Sequence, residues 1–300
     1  MMKKNIETNP EFASEIVLSI PYCYYLHQRG QLGKVTICNG MKPFYYFADD
    51  VVEGYSQRSL DNRLALKDIP NKWLHHSDGI DGVINYDEWE VPPYGEQFKN
   101  DIFDEFKPYV VVNNIFNLEP SGKYVRYFDF RNLYDFFNIL GEKGYNVIYK
   151  RPSNNEFILD DNEILTNMAN NELMSEVDNI GKITDWEFCT YFENAFDMNS
   201  LWKQSKIDYS TFNLNLFSET EGFISIHGGG VQLCAAFKKP VVIYTNVGRG
   251  LRDGYVEHKN SYLNMLSNNQ VYHVKDDIKN WKHSNDRDYN TINDKISEIF

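Results

Sequence analysis

Gly222-Phe-Ile-Ser-Ile-His-Gly-Gly-Gly-Val-Gln-Leu-Cys-Ala-Ala-Phe-Lys-Lys-Pro-Val-Val-Ile-Tyr244 reads as strand, glycine turn, helix and second strand. Phe223 to Ile226 is a short apolar run suited to a buried parallel strand. Gly228, Gly229 and Gly230 allow backbone angles and a close ligand approach that side chains would forbid. The helix starting at Val231 would then present its unpaired amides and the positive end of its dipole to an anion above the sheet. Lys239-Pro240 ends that helix, and Val241 to Tyr244 returns as the next strand. A tight turn with no ligand is the competing reading of three glycines.

Working outward, the same grammar recurs. Pro108 to Asn114 is a strand ending in two polar residues, and Leu133, Phe136, Phe137 and Leu140 then fall on one helical face. Gly144 closes that helix, and Tyr145 to Tyr149 is a strand ending in Lys150-Arg151-Pro152. Ser210 to Thr220 suits the helix leading into the glycine-turn strand, Gln270 to Val274 an edge strand, and Asn293 to Phe300 a terminal helix. Nearer the start, Ile16 to Ile20 reads as a strand, Pro21 to Gly30 as a helix and Lys34 to Cys38 as a second strand. Alternating strands and helices predict an α/β fold with parallel sheets.

Three hundred residues suit two domains. The expected division is 1–106 and 107–300, with the terminal helix a candidate to pack back on the first domain. Forty-three acidic against 30 basic residues give a net charge of −13, which argues against nucleic acid or an anionic membrane as a broad partner. No stretch suits a secretory signal or a membrane span, so a soluble, cytoplasmic chain is expected. Four scattered cysteines suggest neither a zinc site nor a disulfide framework. Residues 156 to 193 hold ten acidic side chains and one basic, Lys182, and read as a solvated excursion.

Ligands of open parallel sheets gather at the carboxyl ends of strands. In the second half those positions hold Asn113, Asn114, Lys150, Arg151, His227, Gly228 to Gly230 and Val231, with Tyr244 leading on to Arg249. Arginine forks, a lysine and backbone amides suit a diphosphate, and Arg151 is the first choice among the charged groups. A surface arginine paired with a carboxylate is its competing reading, and a backbone-satisfied histidine that of His227. The candidate catalytic residues are His27, Asp49 and Asp50, with Asp87 and Glu88 behind them. His27 equally suits a packed or exposed helix position, and Asp49-Asp50 a helix cap. No metal site is expected from the paired aspartates. Trp89 to Tyr94, with Tyr45, Tyr46 and Phe47, suits either a sugar platform or core packing.

The order of apolar strand, glycine turn, Ala-Ala helix and Lys-Pro-Val-Val resembles the donor half of GT-B glycosyltransferases, the heptosyltransferase-like members above all. Glu15 to Tyr22 is similar to that family's opening strand and helix. The resemblance implies two Rossmann-like domains facing a cleft, a nucleotide-sugar donor on the second domain, a glycan or other hydroxyl acceptor on the first, and no metal or other cofactor. It places the diphosphate at Gly228 to Gly230, with Asn113, Asn114, Lys150 and Arg151 lining the cleft. The family's acidic residue soon after the first strand is missing from Pro21-Tyr22-Cys23-Tyr24-Tyr25, and His227 stands where aspartate or threonine is usual. A sugar-nucleotide epimerase and a non-catalytic glycan-binding protein are the alternative functions.

Overall fold

In the computed structural model, residues 3–59, 61–70, 73, 88–116, 127–151, 172–178, 180–246, 262–268, 270–276 and 287–300 are described. The first unit is a three-stranded sheet of β1 (Lys4–Glu7), β2 (Leu32–Cys38) and β3 (Val51–Tyr55), in that order, with both pairs parallel. The crossover from β1 to β2 is helical throughout: α1 (Phe12–Ser14), a π-helical turn (Glu15–Ser19) and α2 (Ile20–Gln28). Gly30, at φ +64°, ends it in the left-handed conformation usual after a helix.

This corrects the expected opening strand at Ile16–Ile20. Every residue from Ser14 to Cys23 is buried, so the helix needs apolar side chains all round and loses the periodicity that marks an amphipathic one. The true first strand lies in the polar leader, where only Ile6 is buried. Two short helices follow β3, namely α3 (Asn62–Ala65) and α4 (Tyr94–Gln97).

In chain order, the second half contributes β4 (Tyr109–Asn113), α5 (Phe130–Glu142), β5 (Asn146–Lys150), β6 (Met174–Val177), β7 (Gly181–Thr184), α6 (Asp185–Cys189), β8 (Ala195–Asp197), α7 (Met198–Ser205) and α8 (Tyr209–Glu219). Then come β9 (Gly222–Ile226), α9 (Gly229–Ala236), β10 (Val241–Asn246), α10 (Tyr262–Leu266), β11 (Val271–Asp276) and α11 (Tyr289–Ile299). Strands β6 and β7 form an antiparallel hairpin. The other six strands make one parallel sheet in the order β11-β10-β9-β4-β5-β8. Chain order therefore runs outward from β4 in one direction and from β9 in the other, the arrangement of a doubly wound sheet.

Side chains alternate across this sheet and feed two cores. Tyr109 and Val111 of β4, Phe223 of β9 and Ile243 of β10 face α8, α9 and the first unit. Val110 and Val112, Ile224 and Val242 face α5 and α11 on the other side. The helix starts carry their own caps: Asp129 with Asn132 forms a capping box on α5, Thr184 with Glu187 one on α6, and Asp197, Asp208 and Asp288 cap α7, α8 and α11. The expected α5 face is the observed one, since Leu133, Phe136, Phe137 and Leu140 are all fully buried.

The first core is continuous between the two units, with α1 and the π turn resting on α9. The terminal helix lies against the second core of the six-stranded sheet. It packs on α5, β10 and β11, burying Ile292 and Ile296 completely. Replacing Ile296→Ala should therefore cost about 2–5 kcal/mol, the usual penalty for a core truncation, read as a lower denaturant midpoint at unchanged slope.

Candidate functional site

The doubly wound order leaves a crevice where β4 and β9 lie side by side and their connections depart in opposite directions. At its floor, Asn113 ends β4 and donates its side-chain amide to the Ser225 hydroxyl of β9 at 2.8 Å. Lys150, at the end of β5, donates to the Asn113 Oδ1 at 3.3 Å. Both side chains are buried. The Lys150 charge also acts on Cys234 in α9, whose thiol is nevertheless pushed up to about 12 by burial. A positive charge thus sits under α9 on the side of the crevice.

Above this floor, His227 completes β9 by donating its backbone amide to the Tyr244 carbonyl at 3.0 Å. Gly228 then occupies the N-cap position of α9 and supplies no side-chain cap. The first amides of α9 keep the anion-binding capacity of a helix start.

The three glycines have different reasons for being there. A Cβ on Gly230 would meet the Asn113 amide nitrogen at 2.9 Å, and Asn113 is held by Ser225 and Lys150, so this glycine makes room for the floor. Gly228 has extended backbone, at φ 171°, which any residue adopts. A Cβ on Gly228 or Gly229 would meet nothing nearer than 3.6 and 3.9 Å respectively. Packing does not demand a glycine at either position, and neither lies in the left-handed region. The backbone angles expected to need glycine are ordinary, and a methyl at either position would sit at normal contact distance from Ile115 or Ala13.

The first unit packs against this helix start. The Gly229 position faces Ala13 Cβ and Ala13 N of α1, each 3.9 Å from the Cβ that an alanine would add. Glu11, the N-cap residue of α1, is exposed and follows β1 by four positions. It lies in the loop after the carboxyl end of the true first strand. The resemblance calls for an acidic residue soon after the first strand; Pro21–Tyr25 holds none, and with β1 at Lys4–Glu7 the first acid after the strand is Glu11. The Pro10-Glu11 pair before a buried apolar run was the signal available, because proline and an acid suit the approach to a helix start.

The remaining expectations divide. Arg151 does not face the crevice. It is 2% exposed, with its Nε and Nη2 bonded to the two carboxylate oxygens of Asp185 and its guanidinium 3.9 Å from the centre of the Trp186 ring. Tyr149 donates to the same carboxylate at 2.5 Å, and burial raises that phenol's pKa well above the ordinary range. Asn114 joins this network by donating to the Tyr149 hydroxyl at 2.8 Å and to the Phe128 carbonyl at 2.9 Å, while its Oδ1 accepts from the Phe128 amide. Arg151 and Asn114 therefore fix the carboxyl ends of β4 and β5 rather than lining the cleft. Asp185 was the missed partner, hidden in the acidic stretch read as solvated.

Val231 and Tyr244 are core residues, with Tyr244 set against Phe128. His27 is exposed at the end of α2 and stacks on Tyr24. Asp49 pairs with Lys3 at 4.0 Å on the surface, and Asp49 and Asp50 precede β3. A crossover helix runs antiparallel to its strands, so all three sit at the amino edge of the first sheet, away from the carboxyl-edge crevice. Trp89, Tyr94, Tyr45 and Phe47 are buried, which favours core packing over a platform for those four. Arg249, Asp87 and Asp160-Asp161 lie outside the described residues. Among the described residues, no group of three or more His, Cys, Asp or Glu is arranged for a metal ion, and no helix is long and apolar enough to cross a membrane.

No protein-family model matches the chain, and no curated protein matches it in sequence. Solved structures do match. The glycosyl transferase family 9 protein from Veillonella parvula aligns over 99% of this chain and 95% of its own at TM-score 0.53 and 7% identity. The ADP-heptose lps heptosyltransferase II of E. coli aligns over 99% and 98% at TM-score 0.54 and 9% identity. The fold is GT-B. At these identities the likeness is one of architecture, and the crevice between β4, β9 and α1 lies where two such parallel-sheet units meet.

Two consequences can be measured. Gly228→Ala and Gly229→Ala should leave stability, read as the denaturant midpoint, unchanged or raise it by up to about 1 kcal/mol. Gly230→Ala, which displaces Asn113, should instead cost about 1–3 kcal/mol of stability. Separately, Arg151→Ala should lower stability by about 3–5 kcal/mol, because it strands the buried Asp185 carboxylate; a diphosphate ligand would have shown its loss in affinity at unchanged stability.

Proposed function

We propose that the chain is a glycosyltransferase that moves a sugar from a nucleoside diphosphate donor to a hydroxyl of a glycan or similar acceptor. The observation that carries this reading is the helix start at the strand-order reversal of a GT-B fold, which opens on glycines and carries no side-chain cap. The donor diphosphate lies against the amides of Gly229 and Gly230. The α9 dipole and the buried Lys150 charge offset the negative charge that builds on the leaving group. His227, beside the turn, contacts the donor's phosphate or ribose. The match to an ADP-heptose transferase makes ADP-linked sugars the first donors to try.

Glu11 is the group we assign as general base. It approaches from α1, across the crevice from the glycine turn. It takes the proton of the acceptor hydroxyl as that oxygen bonds to the anomeric carbon and the bond to the diphosphate oxygen breaks. The proton ends on Glu11 and the electron pair on the departing nucleoside diphosphate. Aligned positive dipoles and a fixed ammonium supply the charge stabilisation that a divalent metal provides elsewhere, and the reaction is expected to run without one.

A thermal-shift and calorimetric panel of nucleoside diphosphates and their sugars, with and without divalent metal, tests the donor site. One diphosphate family should raise the melting temperature without metal, as any ligand selective for the folded state must. Failure of every member would remove the transferase reading. With a working donor, Glu11→Gln should lower kcat by about 10²–10⁴, the usual span of general-base catalysis, at little change in donor affinity. An unchanged kcat would assign the base elsewhere. Interconversion of the donor sugar without transfer would favour the epimerase alternative, and glycan binding without nucleotide binding the non-catalytic one.

A further inference from the structure

A cavity of about 420 Å³ opens at the seam between the two units, and no residue of the glycine turn lines it. Its size falls within the range of about 300–1,000 Å³ common for small-molecule sites. One wall is aromatic. The rings of Tyr46 and Phe98 meet edge to face with centroids 5.6 Å apart, and Tyr46 is held from behind by Phe47 at 5.8 Å and Tyr94 at 6.0 Å. The lining also carries the polar groups Glu53, Asp208, Gln97 and Lys42.

The walls are tied together across the seam. The Gly40 carbonyl, on the cavity lining, accepts from the Ser210 hydroxyl of α8 at 2.6 Å. The Phe98 carbonyl accepts from the Ser218 hydroxyl of the same helix, also at 2.6 Å. Each carboxylate is oriented by one backbone amide: Glu53 accepts from Lys42 at 3.2 Å, and Asp208 from Thr211 at 2.9 Å. A carboxylate has roughly four lone-pair sites, so these bonds aim both groups while leaving them acceptor capacity. Such preorganisation lowers the entropic cost of binding.

The chemistry of the walls selects the ligand. Two carboxylates against one lysine disfavour a phosphate or other anion. An apolar ligand would cover those carboxylates without hydrogen bonds, at a cost of several kcal/mol for each charged group buried unpaired. A neutral polyol satisfies both sides, because its hydroxyls donate to the acids and the C–H face of its ring lies on the aromatic wall. We infer that this cavity is a saccharide site that takes a neutral sugar ring between the Tyr46–Phe98 wall and the Glu53 and Asp208 carboxylates. On a transferase it holds a unit of the acceptor glycan away from the reacting hydroxyl. The site stands without that reading, since its evidence is separate from the glycine turn.

The test is ligand-observed NMR on the full chain with glucose, galactose, mannose, N-acetylglucosamine and their disaccharides, with inorganic phosphate as a control and ADP in competition. At least one neutral sugar should bind, phosphate should not, and ADP should not displace the sugar. The exposed pair Glu53→Gln with Asp208→Asn keeps an acceptor at each backbone amide and should weaken the sugar about tenfold with ADP binding unchanged. Phe98→Leu, which keeps bulk but removes the ring, should weaken it as well and carries the test if the double variant does not fold. Absence of any sugar binding, sugar binding unaltered by these substitutions, or displacement by ADP would each overturn the proposal. Loss of ADP binding in the unsubstituted chain would count against the donor site alone.

Discussion

Asn113 and Ser225 are 112 residues apart in sequence yet share a hydrogen bond between adjacent strands. That contact marks the line where β4 and β9 run side by side while the chain leaves them in opposite directions. The proposed donor site depends on that line. Connections that part leave a crevice at the carboxyl edge, and the helix following β9 starts at its rim. The close packing of Gly230 on Asn113 keeps α9 down against β4. A side chain there would lift the helix start away from the buried lysine beneath it.

Charge is handled differently on the two sides of this line. Toward β5, the Arg151–Asp185 pair is closed on itself, with Tyr149 donating to the carboxylate and Asn114 donating in turn to the Tyr149 hydroxyl. Burying such a pair is costly unless its hydrogen bonds are made, and here the bonds link β4, β5 and α6. Toward β9, by contrast, the helix start has no side-chain cap, whereas α5, α6, α7, α8 and α11 each have one. Five helices of the second half thus start on a side-chain cap, whereas α9 starts on Gly228 without one. Among the described residues, no side chain caps that helix start.

The second half was legible because its signals are local. β4, β9 and β10 are apolar runs bounded by polar or glycine residues, and α5 shows a clean stripe from Leu133 to Leu140. The first half was misread for a physical reason. A helix buried on all sides, as at Ile16 to Cys23, carries the same apolar run as a buried strand, while the edge strand Lys4–Glu7 has one buried residue and looks like a tail. That error hid Glu11, since the search for an acid began after the wrong strand. The misassignment of Arg151 had another cause: its partner Asp185 lies 34 residues on, in a stretch whose composition suggested solvent. Strand-end position located the crevice, but only tertiary pairing could tell Lys150, which stays beside it, from Arg151, which turns away.

The central claim is that the helix start above β9 is a diphosphate site, and a structure of the chain crystallised with the nucleoside diphosphate that stabilises it tests this most directly. The account predicts phosphate oxygens at about 3 Å from the amides of Gly229 and Gly230, with Glu11 facing the ligand from α1. A diphosphate bound elsewhere, with the glycine turn left to solvent, would contradict it.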